Sequence, residues 1–226
     1  MIEQRLAEVR ARIAASADRA GRDPASVSIV AVTKGHPLET ARQACEAGLL
    51  DLGENRVQEA LGKMDAWPEA PVSWHLIGHL QRNKVKLAVG RFVLIHSLDS
   101  ARLADALEEA AGSRDVVQDV LVEVNVAGES QKTGCPAGAV RSLVEHAAGL
   151  PHLAVRGLMT MAPFTADVVE QRRAFRGLRE LRDELVGGGF RLPVLSMGMS
   201  NDFETAVEEG ATMVRLGTVL FGERIP

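Results

Sequence analysis

The stretch VSIVAVTKGHP, Val27 to Pro37, decides how the rest of the chain is read. Its β-branched residues describe a buried strand, yet the strand ends on a lysine, followed at once by Gly35 and Pro37. A strand that buries Val30 and Val32 would ordinarily finish on a small polar turn residue, because an ammonium at a buried strand end is costly to desolvate. Burial disfavours the charged form, so Lys34 at that point is suited to present a free amine to an aldehyde. Gly35 and Pro37 then turn the chain away and leave room for a ligand. The alternative is a lysine that snorkels from the strand end into water.

Working outward, the same unit recurs. Ile2, Leu6, Val9 and Ile13 mark an amphipathic helix that ends around Gly21 and Pro24. Strand-like runs follow at Val27–Thr33, Leu50–Gly53, Val72–Gly78, Phe92–His96, Val117–Asn125, Leu153–Met159, Pro193–Ser196 and Thr212–Leu216. Helical patterns lie between them at Leu38–Ala47, Arg56–Met64, Gln81–Ala88, Ala101–Ala111, Ala137–Ala148, Val168–Leu185 and Asp202–Glu209. Phe175, Leu178, Leu181 and Leu185 keep one face of such a segment apolar. This βα repetition predicts an α/β fold, a single (β/α)8 TIM-type barrel over residues 1–226 with an extra N-terminal helix. An open doubly wound sheet is the competing arrangement.

The chemical residues favour the barrel. Lys34, Asn55, His79, Asn125, Met159 and Ser200 fall at or just after the ends of the first, second, third, fifth, sixth and seventh strands, and Arg215 lies in the eighth, points that in a barrel converge on one mouth.

Composition excludes several functions. A formal charge of −4, with basic residues spread along 226 positions, leaves no footprint for nucleic acid or an anionic membrane. The N-terminal segment has neither a signal-peptide core nor acid-poor transit character, and no apolar run reaches membrane length. Two distant cysteines, Cys45 and Cys135, suggest neither a disulfide framework nor zinc. A cytoplasmic protein with a small-molecule partner is expected.

Three groups of residues carry chemistry. Lys34 is the first. Ser200 in LSMGMSNDFETA, with Gly217 and Thr218 in VRLGTVLFG, could form a phosphate cradle in the loops after the seventh and eighth strands. An ordinary helix cap is the other reading of Ser200 alone. Arg215, inside a strand, must be paired. It meets either a buried acid such as Glu123 or Asp51, or a ligand acceptor such as a pyridine nitrogen. An aldehyde-accepting lysine, a phosphate cradle and a nitrogen partner together describe pyridoxal 5'-phosphate.

The motifs AVTKG, GENRVQEA, WHLIGHLQRNK, HSLDS, GLMTMAP, MGMSNDFETAVEEGAT and VRLGTVLFGER resemble, in order and spacing, the pyridoxal phosphate homeostasis proteins, the YggS/PROSC family. The resemblance covers nearly the whole chain. It implies a barrel similar to the N-terminal domain of alanine racemase, with Lys34 as Schiff-base lysine. By the same resemblance Ser200, Gly217 and Thr218 hold the phosphate, Arg215 faces the pyridine nitrogen, and Asn55 lies beside the ring. It also implies a monomer that buffers the cofactor or delivers it to pyridoxal-phosphate-dependent apoenzymes, without established catalytic turnover.

The rival is a pyridoxal-phosphate racemase or related enzyme. A two-base racemase of the alanine racemase kind needs a tyrosine on the opposite face of the cofactor, and this chain contains none. His36, His75, His79 or Lys132 could substitute as proton carriers. Lys132, in NVAGESQKTG, either takes part in loading or releasing the cofactor or belongs to a loop held by Gly128 and Gly134. His75 and His79 have the i,i+4 spacing of a helical metal pair, but their segment reads as strand and no metal is expected.

Overall fold

The computed structural model describes residues 2–129 and 133–223. Eight parallel strands form the centre: β1 (Ser28–Val32), β2 (Asp51–Glu54), β3 (Ser73–Leu76), β4 (Leu94–Leu98), β5 (Gln118–Asn125), β6 (Leu153–Met159), β7 (Val194–Ser196) and β8 (Met213–Leu216). Their order is β4-β3-β2-β1-β8-β7-β6-β5, and a β4–β5 pairing closes the ring. The fold is a (β/α)8 barrel, as the βα repetition predicts. A two-residue strand, Cys135–Pro136, adds to the end of β5.

Around the ring lie α1 (Ile2–Arg19), α2 (Leu38–Glu46), α3 (Val57–Ala66), α4 (Val85–Ala88), α5 (Ala101–Gly112), α6 (Val140–Ala148), α7 (Val168–Gly187), α8 (Phe203–Glu208) and α9 (Thr218–Phe221). The extra helix α1 buries Leu6, Val9, Ile13 and Ala17. It packs on α8 and α9, and Arg5 donates to the Leu220 carbonyl (3.3 Å). Gly21 then turns the chain at φ 63°.

Three segments differ from expectation. The pattern from Gln81 to Ala88 forms a 3-10 turn (Arg82–Lys84) before α4, and Ala137–Ala139 forms another before α6. Lys84 N–H meets the Gln81 carbonyl, three residues back, a tightening common at helix starts. Helix α9 has four residues, too few for an apolar period to be visible in sequence.

Strand alternation divides the core. Ala31, Leu52, Leu76, Ile95, Val122 and Leu158 join the main cluster between barrel and helices. Inside, Leu94, Leu121 and Met159 form a small cluster with Met161, Val194 and Met213. Val30, Gly53 and Ile77 also meet on the inner face, where a Cβ at residue 53 would lie 2.9 Å from Val30 Cγ1. This period of two carries the inner register from Val30 and Val32 to Lys34, from Gly53 to Asn55, and from His75 and Ile77 to His79.

Candidate cofactor site

A cavity of about 870 Å³ opens at the C-terminal ends of the strands. Lys34, Asn55, Ser200, Arg215, Gly217 and Thr218 all line it, together with His36 and His79. Asn125 does not: its amide bonds the Glu129 carbonyl (2.8 Å) and accepts from Glu129 N–H (3.2 Å), fixing its own loop. Met159 lies lower, in the inner apolar cluster. Lys132 lies outside the described residues.

The backbone on both sides of Lys34 is pinned from α3. Lys63 Nζ donates to the Thr33 carbonyl (2.8 Å) and to Glu54 Oε1 (2.6 Å), which also accepts from Thr33 Oγ1 (2.6 Å). Glu59 Oε1 accepts from Gly35 N–H (2.6 Å). Glu54 is fully buried, and burial raises its carboxyl above the ordinary range despite the opposing bonds from Lys63 and Thr33. This network was not anticipated from the sequence. In GKMDA, Lys63 stands four residues after Glu59 and reads locally as a surface helix pair.

Arg215 is only 4 % exposed. Its Nη1 donates to the Ser196 carbonyl (2.8 Å) and Oγ (2.7 Å), and its Nη2 to the Thr160 carbonyl (2.9 Å). Neither Glu123 nor Asp51 forms an ion pair with it among the described residues. Glu123 accepts from Thr133 Oγ1 (2.5 Å) and Asp51 meets His75 (3.1 Å). Burial pushes the Arg215 pKa down to about 10, partly offset by Asp202 and Glu123, so the guanidinium remains a cation at neutral pH.

The cradle is built by two loops. Gly198, at φ 94°, lets α8 close against the end of β7; a Cβ there would lie 2.6 Å from Ala206 Cβ. Ser200 Oγ accepts from Val219 N–H (3.3 Å), tying this loop to α9. Ser200 therefore does not cap α8, because Asp202 occupies the N-cap position. Among the described residues, the N–H groups of Ser200 and Asn201 have no protein acceptor. With the Ser200 and Thr218 hydroxyls they form a donor-rich concavity suited to a phosphate dianion.

Asn55 is set by close packing. A Cβ at Gly78 would lie 2.4 Å from the Asn55 carbonyl oxygen and 2.8 Å from its Cα. Gly78→Ala is therefore expected to push the loop after β2 outward, costing about 1–3 kcal/mol in urea unfolding and weakening ligand uptake by the cavity. Wild-type values for both would mean the backbone gives way without moving Asn55.

The barrel and its mouth define the class first. A family model described as "Alanine racemase, N-terminal domain" matches residues 5–225. Alanine racemase from Clostridium difficile 630 shares the fold, with a TM-score of 0.74 at 15% identity, over 88% of this chain and 52% of the racemase. Within that class the relatives are more specific. A protein of Aquifex aeolicus named "Pyridoxal phosphate homeostasis protein" is 48% identical over 222 residues, covering 98% of this chain and 97% of its own length. One of the same name from Pseudomonas aeruginosa is 44% identical over 223 residues, covering 99% and 96%. PipY of Synechococcus elongatus PCC7942, solved with PLP bound, superposes with a TM-score of 0.86 at 36% identity over 98% of this chain and all of that one. The chain belongs to the pyridoxal phosphate homeostasis protein family.

Among the described residues no helix is long and apolar enough to cross a membrane, and no group of three or more His, Cys, Asp or Glu could hold a metal ion.

Proposed function

We propose that this chain binds pyridoxal 5'-phosphate in vitamin B6 homeostasis, buffers it, and delivers it to pyridoxal-phosphate-dependent apoenzymes. What carries the reading is that Lys34, Arg215 and the Ser200–Gly217–Thr218 cradle line one cavity. Their donor chemistry fits the ligand's aldehyde, ring nitrogen and phosphate. When bound, the cofactor supplies an electrophilic aldehyde carbon on an electron-withdrawing ring.

Lys34 presents its amine to the aldehyde from the inner register of β1. Ser200 and Thr218 offer hydroxyls to the phosphate, while Gly217 leaves its close approach unobstructed. Arg215, a permanent donor, leaves a ring nitrogen unprotonated, which favours retention over broad carbanion chemistry. Asn55 flanks the ring. The full 226 residues act as one cofactor-binding unit, as a monomer.

The racemase reading keeps one specific support, since His36 and His79 line the same cavity and could move protons. Borohydride reduction of the yellow, cofactor-loaded protein, followed by peptide mass mapping, tests the attachment. The expected adduct lies on the peptide that contains Lys34; a colourless protein that traps nothing would overturn the proposal. Chiral analysis after incubation with L-alanine is expected to show no turnover, and racemisation would establish the rival.

A further inference from the structure

A line of polar side chains crosses the barrel beneath the cavity. Arg215 Nη1 donates to Ser196 Oγ (2.7 Å), and Ser196 Oγ lies 3.0 Å from His96 Nδ1. His96 Nε2 lies 3.1 Å from His75 Nδ1, and His75 Nε2 lies 3.1 Å from Asp51 Oδ1. His96 and Ser196 are fully buried, and His75 nearly so. Asp51, the first residue of β2, is at the opposite end of the barrel with its side chain 39% exposed. The chain thus links the cavity to solvent at the far face.

Donor and acceptor chemistry gives the line a direction. A guanidinium can only donate, so Ser196 Oγ accepts from Arg215. The Ser196 hydroxyl hydrogen then needs an acceptor, and among the described residues His96 Nδ1 is the remaining hydrogen-bond neighbour of Ser196 Oγ. Burial, with His75 and Arg215 nearby, holds His96 well below the ordinary imidazole range, so its ring is neutral and Nε2 carries the proton. That N–H points at His75 Nδ1, which must accept. His75 Nε2–H then points at the Asp51 carboxylate, an acceptor only. The reverse direction leaves the Ser196 hydroxyl hydrogen without a partner among the described residues, a costly arrangement in the barrel interior.

We infer that Arg215 is held by a one-way hydrogen-bond chain, Arg215 to Ser196 to His96 to His75 to Asp51, with both imidazoles as neutral Nε2–H tautomers. His96, His75 and Asp51 are therefore positioning residues for Arg215. They keep the Ser196 lone pair aimed at the guanidinium, and the carboxylate at the far end favours this polarity at every link. Asp202 and Glu123 also act on Arg215 through space from other walls of the cavity. The consequence for ring binding rests on the function proposed above; the tautomers do not.

The test uses ¹⁵N-histidine-labelled full-length protein without cofactor, read by long-range ¹H–¹⁵N correlation. His75→Gln and His96→Gln assign the two rings. Both are expected to show a protonated Nε2 and a bare Nδ1 at neutral pH; a doubly protonated or Nδ1–H ring at either residue overturns the chain. Asp51→Leu removes the terminal acceptor and is expected to disturb the His75 tautomer, whereas Asp51→Asn, which keeps an acceptor oxygen, should restore it. In absorbance titrations with pyridoxal 5'-phosphate, Asp51→Leu is expected to bind on the order of fivefold to tenfold more weakly, the scale of one hydrogen bond, and Asp51→Asn close to wild type. Equal binding by all three proteins would end the positioning role. Failure to trap cofactor on wild-type Lys34 would instead sink the proposed function and leave the tautomer result standing.

Discussion

Lys34→Ala is expected to lose all borohydride-trapped pyridoxal 5'-phosphate while still taking the cofactor up reversibly. The loop that carries residue 34 is held through its neighbours Thr33 and Gly35, by Glu54, Lys63 and Glu59, so the substitution leaves the site's walls in place. The cradle and Arg215 still offer charge-assisted hydrogen bonds of about 1.5–3 kcal/mol each. Two or three of these support dissociation constants in roughly the millimolar-to-micromolar range. Dialysis should therefore strip the variant and not the wild type, with absorbance of the retained fraction as the readout. A variant that still yields a covalent adduct in the same cavity would move the attachment point to another amine and refute the role of Lys34.

Lys63→Met is expected to be the most destabilising single change near the site, by about 3–5 kcal/mol at neutral pH, because it strands the buried Glu54 carboxylate without its counter-charge. Lys63 is 7 % exposed and Glu54 is 0 % exposed, so water cannot replace the lost ion pair. The pH dependence has a defined sign. Burial raises the Glu54 carboxyl even beside Lys63, and removal of Lys63 raises it further. A raised carboxyl penalises the fold above its folded-state pKa, and the penalty fades as pH falls and the group takes up a proton. Urea unfolding of Lys63→Met should thus approach wild type between neutral and mildly acidic pH, and the double variant with Glu54→Gln should recover stability at neutral pH. If Lys63→Met were as stable as wild type at neutral pH, the pair would carry no structural weight. Because Lys63 also bonds the Thr33 carbonyl, the same variant should loosen the segment that presents Lys34.

The barrel and most of its mouth were legible because a parallel barrel imposes a period of two that continues past each strand end. Val30, Val32 and Lys34 form one such series, and Gly53 and Asn55 another, so residues just beyond the buried strand converge on the cavity. Asn125 stands at an equivalent strand end yet is consumed by its own loop, through two bonds to Glu129. Local turn chemistry there prevails over register. Ser200 was readable as a mouth residue, but its bond to Val219 N–H, nineteen residues later, was not. Partners brought together across the ring have no sequence signature: Lys63 looks like an exposed helix lysine, and Ser196 and His96 are a hundred residues apart. The parity of Asp51, His75, His96 and Ser196 was present in the sequence as inner-register positions. What could not be read was which inner residues would touch, since that depends on the stagger of strands around the closed sheet.

Closure of the ring also sets the order in which the molecule can be made. Strand β1 finds its second neighbour only in β8, through pairings such as Ser28 with Met213 and Ala31 with Leu216. During synthesis at about 5–20 residues per second, roughly ten to forty seconds separate the two strands. Throughout that interval the β-branched segment VSIVAV has an unpaired edge, the feature that seeds strand addition between chains. The strand that carries the lysine at its tip thus waits longest for its second neighbour, and that late pairing is the one that sets Lys34 beside the Gly217 loop.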